Sequence, residues 1–197
     1  MSHLLLPVLP LRDVCLFPEA SLTVAITRPA VVRALELARR CGNRLVAVAQ
    51  KDPLNHNPSA VGLHGFGTIA EVVGHEVQSD IDRKIELDGG SRARIHDMLG
   101  LDVLVAEVEE VEEGDPGDEW GSAVEALARY MHAHADLRKF LDAQRRSKEP
   151  MAWVNLACQH LPITATARQK LLESDAAERC QKISRGLDAL LKKEREG

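Results

Sequence analysis

The sequence predicts an α+β protein, a mainly β half followed by an α-helical half. Three observations carry this. Up to about residue 111, apolar residues recur mostly at every second position, the period of a half-buried strand. After Trp120 the period lengthens to about 3.6 residues, that of an amphipathic helix. Between them, Glu107 to Glu119 hold eight acidic residues and no basic one, and Gly114, Pro116 and Gly117 break regular structure. That stretch reads as a solvated strand end and linker. There is no βαβ rhythm and no internal repeat. The expected division is 1–114, mainly β with one helix near 30–40, and 115–197, a helical bundle.

The elements follow in order. Residues 4–11 are apolar but carry Pro7 and Pro10, which suits an edge strand. Residues 22–26 form a short strand after a turn at Pro18. Pro29 fits the first turn of a helix, where its missing N–H costs nothing. That helix runs to about Arg40 with Val31, Leu35 and Ala38 on one face and Leu37 widening the stripe. Gly42 ends it in a left-handed cap. Residues 45–49 are a compact apolar strand, and 51–65 a long loop broken by Pro53 and Pro58. Residues 66–73 alternate, with Phe66, Thr68, Ala70 and Val72 on one side. Residues 84–87 and 92–95 read as two short strands, with Asp88-Gly89-Gly90 as the turn between them. A long strand over 101–111 shifts its alternation at Val105–Ala106, which predicts a bulge there.

In the second half, Ala123, Leu127 and Tyr130 or Met131 share one helical face, and Leu137, Phe140 and Leu141 another. Val154, Ala157 and Leu161 align on a third helix. Thr164 is placed to cap a helix through Glu173. Asp175 and Glu178 have capping-box spacing ahead of a last helix with the stripe Cys180, Ile183, Leu187 and Leu190. Short helices this close together pack as a bundle.

Composition narrows the function. At 197 residues, the chain can bury a sizeable core. Only 3% of residues are aromatic, so a stacking platform for single-stranded nucleic acid is not expected. Residues 1–119 carry 11 Lys/Arg against 20 Asp/Glu, and residues 120–197 carry 14 against 10. The first half repels a phosphate backbone and the second is only mildly basic, so nucleic acid is an unfavoured partner. Cys15, Cys41, Cys158 and Cys180 lack CxxC spacing and read as reduced thiols. The opening residues have no basic head and are interrupted by Pro7, Pro10 and Arg12-Asp13. Neither a signal peptide nor a membrane span is expected there, and the cytoplasm is the expected compartment.

No catalytic pattern appears. Gly62 to Gly67 has glycines without a phosphate-loop spacing. A GxSxG elbow is absent. Ser147–Lys148 sits in a very polar run, the wrong setting for a depressed lysine pKa. Cys158 and His160, like His132 and His134, are two apart on predicted helices and point in different directions. His56, His64 and His75 have no ligand spacing, so no metal and no cofactor are expected. Among the cysteines, Cys15 is the best candidate nucleophile, with a strand-end core thiol as its plain reading. The acidic pairs Glu109–Glu110 and Glu112–Glu113 are expected to be solvated.

The opening segment Leu6-Pro7-Val8-Leu9-Pro10-Leu11-Arg12-Asp13-Val14-Cys15-Leu16-Phe17-Pro18 resembles the start of the N-terminal substrate-binding domain of Lon proteases. Further motifs fall in the family's order: Val48 to Asp52, Gly67 to Val72, Arg92-Ala93-Arg94-Ile95 and the strand with its acidic end to Glu113. In the tail, Leu156 to Ile163, Lys170 to Glu173 and Glu178-Arg179 also match, so the resemblance covers about residues 4–192. It implies a partly open β-barrel of the pseudouridine-synthase-and-archaeosine-transglycosylase (PUA-like) type, followed by the α-helical bundle. In the family's full proteases an ATPase domain and a Ser–Lys protease domain follow, and neither has a counterpart in these residues. The resemblance therefore implies an ATP-independent, non-enzymatic module that binds unfolded or tagged polypeptides or a partner protein, as an adaptor or regulator. No catalytic residue carries over.

A protein binder needs apolar side chains at its surface. Phe17, Leu54, Leu63 and Phe66 are the candidates, because they lie in or beside turn-prone segments. The competing reading has both phenylalanines plugging the barrel. Arg12 and Asp13 are expected to pair or to fix the first turn. Two other functions stay open: RNA binding by the PUA-like half, and a cysteine or serine hydrolase with an unrecognised site.

Overall fold

The computed structural model describes residues 3–26, 28–77, 83–100, 102–144 and 149–196. Strands β1 (His3–Leu11) and β2 (Ser21–Ala25) precede helix α1 (Pro29–Arg40). Then come β3 (Arg44–Ala49), β4 (Phe66–Val77), β5 (Arg83–Leu99) and β6 (Val105–Val111). The helices α2 (Glu119–Ala133), α3 (Ala135–Gln144), α4 (Pro150–His160), α5 (Ala165–Glu173) and α6 (Ala176–Glu196) complete the chain.

The sheet order is β2-β5-β4-β3-β1-β6, and β6 returns to pair with β5. Five strands thus close a ring, with β2 hanging on its outside. This is an α+β fold with a partly open barrel. All pairings are antiparallel except β1–β3. That parallel pair is linked through β2 and α1, a crossover whose rhythm the intervening strand hides in the sequence.

β1 is not the edge strand its prolines suggest. It pairs with β6 over His3 to Pro7 and with β3 over Val8 to Leu11. The Pro10 carbonyl accepts from Arg28 Nη2 at 3.1 Å, on the side away from β3. The N–H that Pro10 lacks would face that same side, so no ladder bond is lost.

β5 is one continuous strand, and Asp88-Gly89-Gly90 is not a turn. Gly89 N donates to the Ala20 carbonyl at 2.8 Å, and its own carbonyl accepts from Glu19 N at 2.9 Å. A Cβ on Gly89 would collide with the Phe17 carbonyl oxygen, so glycine is required by close approach. Next to it, Gly90 and Ser91 stand opposite the single residue Ile69, a bulge that bends β5 toward β6. Gly100, at φ +127, then turns the chain. β6 begins only at Val105, and Leu101 lies outside the described residues. The bulge falls on β5 at His96, between Ile95 and Asp97, and not at Val105–Ala106.

The expected helix starts and stops are present. Pro29 opens α1, and Gly42 (φ 69) follows its end, with Asn43 N bonded to the Ala38 carbonyl at 2.9 Å. Thr164 Oγ1 accepts from Ala167 N at 3.2 Å, and Asp175 Oδ1 from Glu178 N at 2.8 Å.

Three apolar clusters result. One draws Leu6, Val46, Ile69, Ala93 and Val108 from all five ring strands, which only the inner face of a ring can bring together. A second packs α1 through Val31, Leu35 and Ala38 on the other face of β1 and β3. The third joins the helices to Cys15, Phe17, Ala49 and Phe66 of the barrel half. Among the described residues, no helix is long and apolar enough to cross a membrane.

Candidate functional site

The two phenylalanines that looked like surface candidates are the barrel's contribution to its junction with the helices. Phe17 and Phe66 are buried in the helical cluster and do not plug the ring. Each lies under a guanidinium: Arg179 is 5.7 Å from the Phe17 ring centroid, and Arg92 is 5.5 Å from that of Phe66. Leu63 is also buried, inside the ring cluster. Leu54 is 82% exposed on the 51–65 loop, which also carries the equally exposed Val61. The structure therefore separates the four candidates: three are enclosed by the protein's own groups and one faces solvent.

Polar side chains from the helices fasten the junction. Gln159 Oε1 accepts from Phe17 N at 3.1 Å, and its Nε2 donates to the Ser21 carbonyl at 2.8 Å. Gln169 Nε2 donates to the Phe66 carbonyl at 3.1 Å. Arg168 donates to the Asp13 carbonyl at 3.2 Å and to that of Leu161 at 2.9 Å. Asp13 itself holds φ 52 and shapes the turn through its backbone. Arg12 does not pair with it but contacts His56 Nδ1 at 3.3 Å.

At the centre is an ionic clasp that the acidic run conceals. Arg179 has no exposed side-chain surface and donates from Nη1 to Glu113 Oε1 at 2.8 Å. It also bonds Asn155 Oδ1 and the carbonyls of Leu171 and Ser174. Arg92 approaches the second oxygen of Glu113, with Nε 3.4 Å away, and donates to the carbonyls of Leu172, Ser174 and Glu112. Burial, and next the neighbouring Arg179, pulls the Arg92 pKa below its ordinary value. Glu113 is thus not a solvated member of its run, because two buried arginines require a carboxylate there. No local sequence signal distinguishes it from Glu112.

Beside this clasp opens a cleft of about 640 Å3, between the β5 bulge, the linker and the start of α4. Trp120, Met151, Val111, Pro18 and Pro116 give it an apolar lining. Glu19, Glu112, Asp115 and Glu149 set exposed carboxylates around it. Glu19 reaches its place from a left-handed backbone (φ 61) held by the bond to Gly89. Trp120 and Met151 come from different helices and were singled out by no motif. The sole hint is an aromatic at the end of the acidic run.

The groups considered for chemistry are scattered. Burial pushes the Cys15 and Cys158 thiols up to about 12 and that of Cys180 to about 11, the reverse of an activated nucleophile. His160 meets the edge of Phe140 at 4.8 Å, His64 lies 3.9 Å from Glu173, and His56 contacts Arg12 at 3.3 Å. Ser147–Lys148 and the His75 side chain lie outside the described residues. Among the described residues, no group of three His, Cys, Asp or Glu side chains is placed to hold a metal.

The family described as the ATP-dependent protease La (LON) substrate-binding domain matches residues 5–189. Lon protease of Xanthomonas oryzae pv. oryzae is 32% identical over 187 residues, covering 89% of this chain and 22% of that protein. Lon protease 1 of Thermus thermophilus is 30% identical over 198 residues, covering 95% and 24%. The chain therefore spans about a quarter or less of these relatives. Among solved structures, the N-terminal domain of the Mycobacterium avium complex Lon protease superposes with a TM-score of 0.75 at 20% identity, covering 93% of this chain and 98% of that one. A Lon N-terminal domain protein from Xanthomonas campestris gives 0.64 at 18% identity, covering 93% and 97%. With the barrel, the bundle and the match across nearly its whole length in agreement, this chain belongs to the Lon substrate-binding domain family.

Proposed function

We propose that the protein recognises polypeptide segments, unfolded or tagged, without acting on them chemically, and serves as an adaptor or regulator. The cleft beside the clasp carries this reading. It pairs an aromatic and a thioether floor with a carboxylate rim, which suits an apolar side chain flanked by Lys or Arg. Family membership supports a substrate-recognition role. Leu54 and Val61 add exposed apolar contact on a separate loop. The four free cysteines support a reducing compartment such as the cytoplasm.

The test is anisotropy of a labelled globular protein, reduced and carboxymethylated so that it stays unfolded, against its native form. The unfolded form binds saturably without ATP and the native form does not. Trp120→Ala weakens binding about tenfold, the loss of one aromatic anchor. Equal behaviour of the two forms, or full affinity in a folded Trp120→Ala variant, overturns the reading.

A further inference from the structure

A second surface differs from the cleft in both make-up and charge. Helices α5 and α6 and the turn before α5 enclose a groove of about 310 Å3. Ile163, Ala167 and Leu171 form one wall, and Ile183, Leu187 and Leu190 the other. Among the described residues, its charged lining is Lys170 and Lys182, one on each helix. Lys182 shares its charge with Glu178 at 2.9 Å, whereas Lys170 has no carboxylate within ion-pair distance among the described residues.

Gly186 lines the same groove, inside a helix of 21 residues. A Cβ there would meet nothing within 4 Å, so nothing in the chain's own packing asks for glycine. Glycine inside a helix is destabilising relative to alanine. An unforced glycine in a groove wall leaves room for a partner backbone to come close.

We propose that this groove docks a short apolar segment of another polypeptide whose flanks carry Asp or Glu. The apolar walls take its side chains, Lys170 and Lys182 select its acidic flanks, and the open face of Gly186 lets its backbone settle against α6. This site is independent of the cleft, whose carboxylate rim favours the opposite charge. A second copy of this chain is the competing occupant.

The test uses the full chain and two labelled Leu-rich peptides of identical core, one flanked by Glu and one by Lys. The Glu-flanked peptide binds at least about tenfold more tightly, and the gap narrows with added salt. Gly186→Leu fills the groove and removes this binding, while Trp120→Ala leaves it intact. Lys170→Glu combined with Lys182→Glu reverses the peptide preference. Circular dichroism and melting confirm that each variant is folded. Gly186→Ala serves as the milder probe, raising the melting temperature while weakening the peptide. Equal binding of both peptides, binding of neither, or full binding by folded Gly186→Leu overturns the proposal. So does a concentration-dependent dimer that Gly186→Leu abolishes, which would make the groove a self-interface.

Discussion

Arg179 shows what a buried charge requires. Its guanidinium has five N–H donors and meets Glu113, Asn155 and two backbone carbonyls. Removing one partner leaves the other charged and desolvated, at a cost of about 3–5 kcal/mol. Arg179→Ala is therefore expected to lower the urea midpoint by that equivalent, and Glu113→Ala to act in the same direction. Two histidines lowered by burial, His64 and His160, contribute on the acid side. Burial, and then Arg168, lowers the His160 pKa from 6.5, so the unfolded chain binds the proton first. The stability from His160 is present above about pH 6.5 and is lost as pH falls through that value toward the lower folded one. His160→Gln should flatten that part of a stability-versus-pH curve. For the buried thiols of Cys15, Cys158 and Cys180 the window is alkaline. Their folded pKa values exceed the ordinary 9.0, so stability falls as pH rises above it. Iodoacetamide at pH 8 should label Cys41, which is partly exposed, ahead of the three buried cysteines, as read by mass spectrometry.

Elements with local causes were legible in the sequence, and elements with distant causes were not. Helix α1 is fixed by Pro29, a four-residue buried stripe and Gly42, all within its own neighbourhood. The Thr164 cap is equally local. β5 is the counterexample. Asp88-Gly89-Gly90 has the composition of a turn, but the loop at residues 17–20 lies against Gly89 and keeps the strand extended. β1 fails for a related reason. Proline rules hold one side at a time, and β1 is paired on its two sides over different stretches. Gly89→Ala should thus do more than cost backbone freedom. It drives a methyl into the Phe17 carbonyl, so a loss of about 2 kcal/mol or more in urea unfolding is expected.

At the scale of the whole molecule, barrel and bundle share one apolar cluster. Phe17, Ala49 and Phe66 lie in the same cluster as Leu127, Leu141 and Leu187. The candidate cleft was illegible because its lining comes from separate stretches that meet only after folding. Phe17 and Phe66 misled for the complementary reason: turn residues beside them suggested exposure, while the helices supply the cover. Fragments 1–114 and 115–197, made separately, should each expose part of this cluster. Binding of a hydrophobic dye to each fragment alone, and its loss on mixing, checks that expectation.

The register of β1 also sets a timetable for synthesis. Its first residue in the sheet, His3, pairs with Glu109, and its other flank with β3. A nascent chain leaving the ribosome must therefore hold this first apolar strand half-unmatched until β6 has cleared the exit tunnel. Barrel closure is therefore a late event, and until then β1 keeps one apolar flank open to non-native pairing.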